Sequence, residues 1–327
     1  MMKFKGEICL LIVALIWGSG FVASDLALGA LTATQVMAIR FTVAALVLGS
    51  VFRRRLREPG RLDRPTIRRG VVLGIFLGLS FLAQTVGLVF TTPSKNAFLT
   101  AVNVILVPFI GAILTRSRGQ IERSGIAGAT LAILGVGLIS WNGSGRLNLG
   151  DGLTLLCAIG FAFHIYFTGD FLLKGSDAAA LTVVQLATAA ALSMLAAVAE
   201  YGLGLGQLKS SVSVAWPGSL RAAVYLGIFA TAVAFLRQTV AQQWTTQSRA
   251  AILMSTEAVF GTLLSALILH EHLTRRSLIG STLVFAAILI AETGAASQPL
   301  REPRQPGSDV TATATSVNLL PNPENEL

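Results

Sequence analysis

Charge is scarce in this chain: 13% of its 327 residues are Asp, Glu, Lys or Arg, about half the usual share of a soluble domain. Cysteine is scarcer still. Cys9 and Cys157 both fall inside apolar runs, which offers neither a disulfide framework nor a cysteine-rich metal cluster. The only dense histidine pattern is His270-Glu271-His272, and adjacent or next-but-one residues on a helix point apart, which argues against a metal site. H-E-x-x-H, G-x-S-x-G and Walker A patterns are absent from the sequence, so zinc-hydrolase, serine-hydrolase and nucleotide-driven chemistry lack their residues. No cofactor and no metal are expected, and the chain is not read as an enzyme.

What the sequence has in abundance is apolar length. Hydrophobic residues make up 53% and mean hydropathy is +0.70. The apolar residues form ten runs of about 18–22 residues, the length that crosses a hydrocarbon core as helix. They begin near Ile8, Gln35, Val71, Asn96, Gly125, Gly152, Ala178, Ala222, Ala250 and Ser277. A membrane span must satisfy its own backbone hydrogen bonds, and these runs lack the alternation of barrel strands, so helices are expected. Lys3 and Lys5 before the first run resemble the start of a signal peptide, but the run is long and Leu11–Ser24 lies over Leu155–Thr168 of the sixth run, so it is kept as a span.

The net charge of +9 invites a nucleic-acid reading, which the placement of the charges opposes. Starting inside and crossing ten times puts seventeen Lys and Arg on the cytoplasmic side and six outside, with Arg40 and Arg237 inside spans. That bias sets both termini in the cytoplasm of a multi-pass plasma (inner) membrane protein. The stretch RRRLREPGRLDRPTIRR from Arg53 is then a topogenic loop at an anionic leaflet.

The chain also repeats itself. LGIFLGLSFLAQTVGLVFTTPSKNAFLT from Leu73 and LGIFATAVAFLRQTVAQQWTTQSRAAILM from Leu226 share L-G-I-F, Q-T-V and T-T-x-S landmarks in order. Repetition at half the chain length implies two structural units. Each holds five spans, an odd number, so the second enters the membrane inverted. Loops after spans two and four carry eleven Lys or Arg, against four in their counterparts, as inversion requires. The expected fold is all-α and integral to the membrane: ten transmembrane helices in two inverted five-helix repeats, residues 1–145 and 146–294. Residues 295–327, rich in Pro, Thr, Ser and Asn, are expected to form a disordered cytoplasmic tail.

Three blocks carry a family resemblance: WGSGFVASDLAL from Trp17, TTPSKNAFLTAVNVILVPFIGAIL from Thr91 and SRAAILMSTEAVFGTLLSALILHEHL from Ser248. Together they resemble the EamA-type transporters of the drug/metabolite transporter superfamily, from about Ile8 to Glu292. The resemblance implies ten helices in two inverted units that move small metabolites such as amino acids and their relatives. Where the family often reads Glu-Pro, this chain has Glu257-Ala258, and Thr115-Arg116-Ser117-Arg118 replaces a Gly-Glu-Arg; Glu271 keeps the second-half version.

Inverted repeats place a transporter's site near the midplane between the halves, which directs attention to polar residues in the spans. Asn96, Thr100 and Asn103 share one face of the fourth span at i, i+4 and i+7, matched by Ala250, Met254 and Glu257. Glu257 sits mid-span, where a charge needs a partner, a proton or a water-filled cavity; a structural carboxylate bonded to a neighbouring helix is the alternative. Gln84 and Gln238 occupy matching positions, suited either to two gates or to interhelical hydrogen bonds. His164, with Phe161 and Thr168 on one face, can exchange protons near neutral pH or serve as hydrogen-bonded structure. Trp17 lies too deep for an interfacial belt and can stack on a substrate or pack. Arg40 is expected to snorkel outward, pair with Asp25 or touch substrate; Arg237 is expected to reach the cytoplasmic interface.

These residues point to a secondary transporter exporting or exchanging a small metabolite by alternating access, with a small-molecule substrate and the lipid bilayer as partners. Its substrate-binding set is Trp17, Gln84, Asn96, Thr100, Asn103, Phe161, His164, Gln238 and Glu257. One inverted pair encloses a pathway, so a monomer suffices, though a dimer is also compatible. Organic-cation efflux is the alternative within transport. An intramembrane enzyme would need polar residues clustered near one interface, and a non-transporting sensor would leave the stripe on the fourth span unexplained.

Overall fold

A computed structural model describes residues 2–116, 123–140, 148–204, 212–241 and 253–295. Every described element is helical. The first half of the chain forms α1 (Met2–Leu28), α2 (Ala33–Val51), a short α3 (Arg53–Leu56), α4 (Arg64–Leu88), α5 (Pro93–Ala101), α6 (Asn103–Thr115) and α7 (Arg123–Ser140). The second forms α8 (Leu149–Leu173), α9 (Ala178–Gly202) and α10 (Val212–Tyr225), which continues through a π-helical stretch, Leu226–Val233, into α11 (Ala234–Ala241); α12 (Glu257–Ile268) and α13 (Arg275–Ala295) follow. The tail expected from residue 295 lies outside the described residues beyond Ala295, as do Ser248, Arg249, Ala250 and Ala251.

Among the described residues, seven helices are long and apolar enough to cross a membrane, taking Pro93–Thr115 and Trp216–Ala241 as one each. Ile126–Ile139 and Leu253–Ile268 are shorter apolar helices. The molecule is a multi-pass membrane protein. Its outer surface agrees: Leu46, Ile133, Leu195 and Leu267 are each more than 60% exposed, on helices long or apolar enough to face lipid.

Local chemistry starts these helices where the sequence places a capping residue. Thr32 forms a capping box with Gln35, Asp63 accepts from Thr66 N and Thr92 from Lys95 N, with Pro65 and Pro93 in the first turns. Asn148 and Asp177 do the same for α8 and α9. Pro and a side-chain acceptor suit a helix N-terminus because its first N–H groups have no intrahelical partner.

The halves interleave. α7 packs chiefly on α13, α4 on α8 and α9, α2 on α9 and the π stretch, and α1 on α12 and α10–α11. Each of these contacts joins one half to the other. α2 and α9 run antiparallel: Thr32 and Thr34 at the start of α2 donate to Glu200 near the end of α9, while Arg55, beyond the end of α2, pairs with Asp177 at the start of α9. α7 and α13 cross backbone to backbone, where a Cβ at Gly135 would lie 2.8 Å from Gly280 O and one at Gly280 2.7 Å from Gly135 O. Glycine is required there because the two helices leave no room for a side chain.

Candidate functional site

A cavity of about 640 Å³, counting the part open to solvent, lies among α1, α2, α4, α6, α8, α11 and the start of α12. The halves of the chain line it equally, eight residues each, so it belongs to their interface rather than to either unit. Most of the lining comes in matched positions. Trp17, Gly20 and Phe21 on α1 answer Phe161, His164 and Ile165 on α8, each 144 positions on. Phe81, Gln84 and Asn103 answer Phe235, Gln238 and Glu257, each 154 positions on.

Both spans that supply the polar ends are irregular at the same place. Val102 separates α5 from α6, and Thr256 precedes α12. At the second break Thr256 Oγ1 donates to Leu253 O at 2.6 Å, taking a carbonyl out of the helical ladder without a proline. In the first half, Pro108 cannot donate to the ladder and crowds the turn before it. Asn103 and Glu257 therefore open the half-helices α6 and α12, and a carboxylate in a helix's first turn is favoured by the exposed N–H dipoles.

The aromatic wall is continuous. Phe81 meets Phe161 edge-on at 4.8 Å and Phe235 at 5.9 Å, and Trp17 lies 5.1 Å from Phe235. Trp17 Nε1 donates to Ala230 O at 2.9 Å. That carbonyl sits in the π-helical stretch, where the register change turns backbone acceptors out of line for use by neighbours. Arg40 uses the same stretch: its Nη2 donates to Ala230 O at 3.4 Å and its Nε to Thr231 Oγ1 at 2.6 Å. Its guanidinium covers the Phe81 ring at 4.0 Å, a cation–π contact out of water.

Arg40 is 4% exposed and Glu257 8% exposed. Both line the cavity, and among the described residues neither makes an ion pair within 4.0 Å. So one cavity holds a buried cation with donors to spare and a buried carboxylate with no hydrogen-bond partner among the described residues. Gln238 Oε1 is a further buried acceptor without a partner among the described residues. On the opposite wall His164 Nε2 is bonded to Gln185 Oε1 at 2.8 Å, and Gln185 stands where the first half has Arg40.

Seven of the nine residues read from the sequence line the cavity: Trp17, Gln84, Asn103, Phe161, His164, Gln238 and Glu257. Asn96 and Thr100 do not. Asn96 Nδ2 donates to Gln84 O and Thr154 Oγ1, and Thr100 Oγ1 accepts from Gln84 Nε2 at 2.9 Å. They stand behind Gln84 and hold it, because the irregular turn at Val102 breaks the face they would otherwise share with Asn103. Arg40 neither snorkels nor pairs with Asp25; it turns into the cavity. Its pairing with Gln185 across the repeat was the available signal, since polar residues recurring at equivalent depths mark a shared interior. Arg237 is exposed.

A solved crystal structure of a protein is similar over 90% of this chain and 100% of that chain, with a TM-score of 0.64 and 17% identity, a likeness of fold alone. An uncharacterized transporter of Archaeoglobus fulgidus is 28% identical over 291 residues, which cover 88% of this chain and 86% of the relative. The model of the EamA-like transporter family matches twice in succession, over residues 4–141 and 148–293. With both halves matched, around a cavity that both halves line, the chain belongs to the EamA-like transporter family.

Proposed function

We propose that the protein is a secondary transporter that exports or exchanges a small metabolite, an amino acid or a related compound, by alternating access between two inverted repeats. The observation that carries this reading is the pair Arg40 and Glu257, buried in one cavity with no ion pair to either among the described residues. An unpaired buried ion costs several kcal/mol, and a zwitterion offsets both costs: its carboxylate takes the free donors of Arg40, and its ammonium takes Glu257 and Gln238 Oε1. Trp17, Phe81 and Phe161 would hold the remainder by apolar contact. An organic cation would meet Glu257 but also the charge of Arg40, which disfavours simple cation efflux.

In this reading α13 and the two shorter apolar helices complete ten crossings, and both termini face the cytoplasm of the plasma (inner) membrane. The antiparallel course of α2 against α9 supports the inversion. The chain has no Walker A pattern, so the driving force is a gradient of substrate or ions, with Glu257 as first candidate for carrying a coupled proton and His164 as second. Gln84, Asn103 and Gln238 supply neutral hydrogen bonds, while Asn96 and Thr100 position Gln84.

The test is release of a mixed pool of amino acids, organic acids and amines from proteoliposomes, read by mass spectrometry. Wild type should release one zwitterionic class selectively, and Glu257→Gln should lower that release at least tenfold, the loss expected for a hydrogen bond to a charged group. Release of amines alone would reverse the assignment of Arg40. No release under any imposed gradient by folded protein would remove the transport reading.

A further inference from the structure

A second pocket opens at the end of the bundle where α2 and α11 stop and α9 begins, with about 1070 Å³ of empty space including the part open to solvent. Three arginines converge on it from both halves: Arg55 and Arg61 from the segment after α2, and Arg237 from α11. Asp177 organises two of them. Its Oδ2 pairs with Arg55 Nη2 at 2.8 Å and Arg61 Nη1 at 3.0 Å, while its Oδ1 accepts from Ala179 N and Ala180 N. Arg61 Nε also pairs with Glu58 Oε2 at 3.1 Å, so the donors left without an anion among the described residues are those of Arg55 beyond Nη2 and of Arg61 beyond Nε and Nη1. Arg237 has no ion-pair partner among the described residues.

Beside the arginines stands an apolar wall of Phe52, Leu236 and Val240, with Ser176 as the one further polar side chain of the lining. A basic mouth over an apolar wall, at the end of membrane-spanning helices, has the polarity of a phospholipid at the edge of its leaflet. Free phosphate would use the arginines but not the wall. We propose that this pocket binds an anionic phospholipid of the adjoining leaflet, its phosphate on Arg55, Arg61 and Arg237 and its glycerol and acyl carbons on Phe52, Leu236 and Val240. The site is distinct from the substrate cavity and touches the other face of the same helix, since Phe235 and Gln238 line the cavity while Leu236, Arg237 and Val240 line the pocket. An occupied pocket joins the first-half segment around Arg55 to α9 and α11 of the second half, and braces the helix that carries Gln238.

The experiment is titration of the purified full-length protein with phosphatidylglycerol, followed by native mass spectrometry, with phosphatidylcholine as the neutral comparison. Arg237→Gln should weaken phosphatidylglycerol binding about fivefold, and Arg55→Gln with Arg237→Gln roughly thirtyfold, given the usual attraction of one basic residue to an anionic membrane surface. Arg53→Gln with Arg54→Gln, on the same segment but outside the pocket, should leave binding unchanged. Arg237 is exposed and makes no ion pair, so its variant should elute as wild type, which keeps the result interpretable if the double variant misfolds. Equal loss in the Arg53/Arg54 variant would mean diffuse attraction and overturn the site. Displacement of phosphatidylglycerol by millimolar inorganic phosphate would reassign the pocket to free phosphate and overturn the lipid.

Discussion

Arg40 shows how a single side chain can be out of reach of helix periodicity. Its position near the end of a span suggests an arginine that reaches for the interface, yet its guanidinium lies on Phe81 and bonds into the π-helical stretch. The planar fork matters there, because a compact ammonium cannot both cover a ring and present further donors to a carboxylate. Arg40→Lys is therefore expected to raise the apparent KM for a zwitterionic substrate about tenfold or more, the loss of a charge-assisted hydrogen bond, while the thermal midpoint in detergent moves little. A midpoint that collapses with KM unchanged would make Arg40 a structural residue. Asn96 and Thr100 carry the complementary lesson. Their stripe was legible as polar residues in a span, but their bonds to Gln84 and Thr154 satisfy them away from the cavity.

Among the described helices, α2, α4, α5, α8 and α9 each start at a side-chain cap, and one cap carries a pH signature. Asp177 caps α9 outside the membrane span. Burial alone would raise its pKa, but the Ala180 N–H and then the Arg55 and Arg61 guanidiniums outweigh that and hold it below the usual carboxylate value. A depressed folded value means the stabilisation is complete above the unfolded value, near pH 3.9, and is lost as pH falls through the folded value below it. Asp177→Ala should lower stability by about 1 kcal/mol at pH 7, mostly through the cap, because its partly exposed ion pairs add little. Thermal melts should show this gap constant between pH 8 and 5 and shrinking below about pH 4; a gap that widens on acidification would contradict the assignment. The crossing of α7 and α13 makes a second demand. A Cβ at Gly280 would meet backbone on α7 at 2.7 Å, so Gly280→Ala should cost about 1–3 kcal/mol, the usual range for overpacking. An unchanged melt would show that the two helices separate easily.

At the scale of the molecule, the largest helix interfaces among the described residues join one half to the other: α7 with α13, α4 with α8 and α9, and α2 with α9. Alternating access between the two repeats, as proposed, therefore has to loosen those interfaces in each cycle. Each half expressed alone should aggregate or be degraded, whereas the halves severed between residues 140 and 148 and co-expressed should co-purify and melt cooperatively. A monodisperse first half in detergent would refute this. By itself the sequence determined the membrane class, the duplication and the pairing of polar positions across the repeat, because these follow from run length, charge placement and spacing along the chain. Gln84, Asn103, His164, Gln238 and Glu257 reached the cavity for a related reason: a mid-span polar group in a membrane protein has little choice but the interior. Tertiary structure alone decided which interior each one met. In spans this apolar, every face of a helix can be buried, and an irregular turn at Val102 or a π-helical stretch at Leu226–Val233 re-aims side chains through contacts with helices distant in sequence. Such contacts leave no local periodicity, so the withdrawal of Asn96 and Thr100, the inward turn of Arg40 and the interleaving of the halves became visible only once the helices were packed.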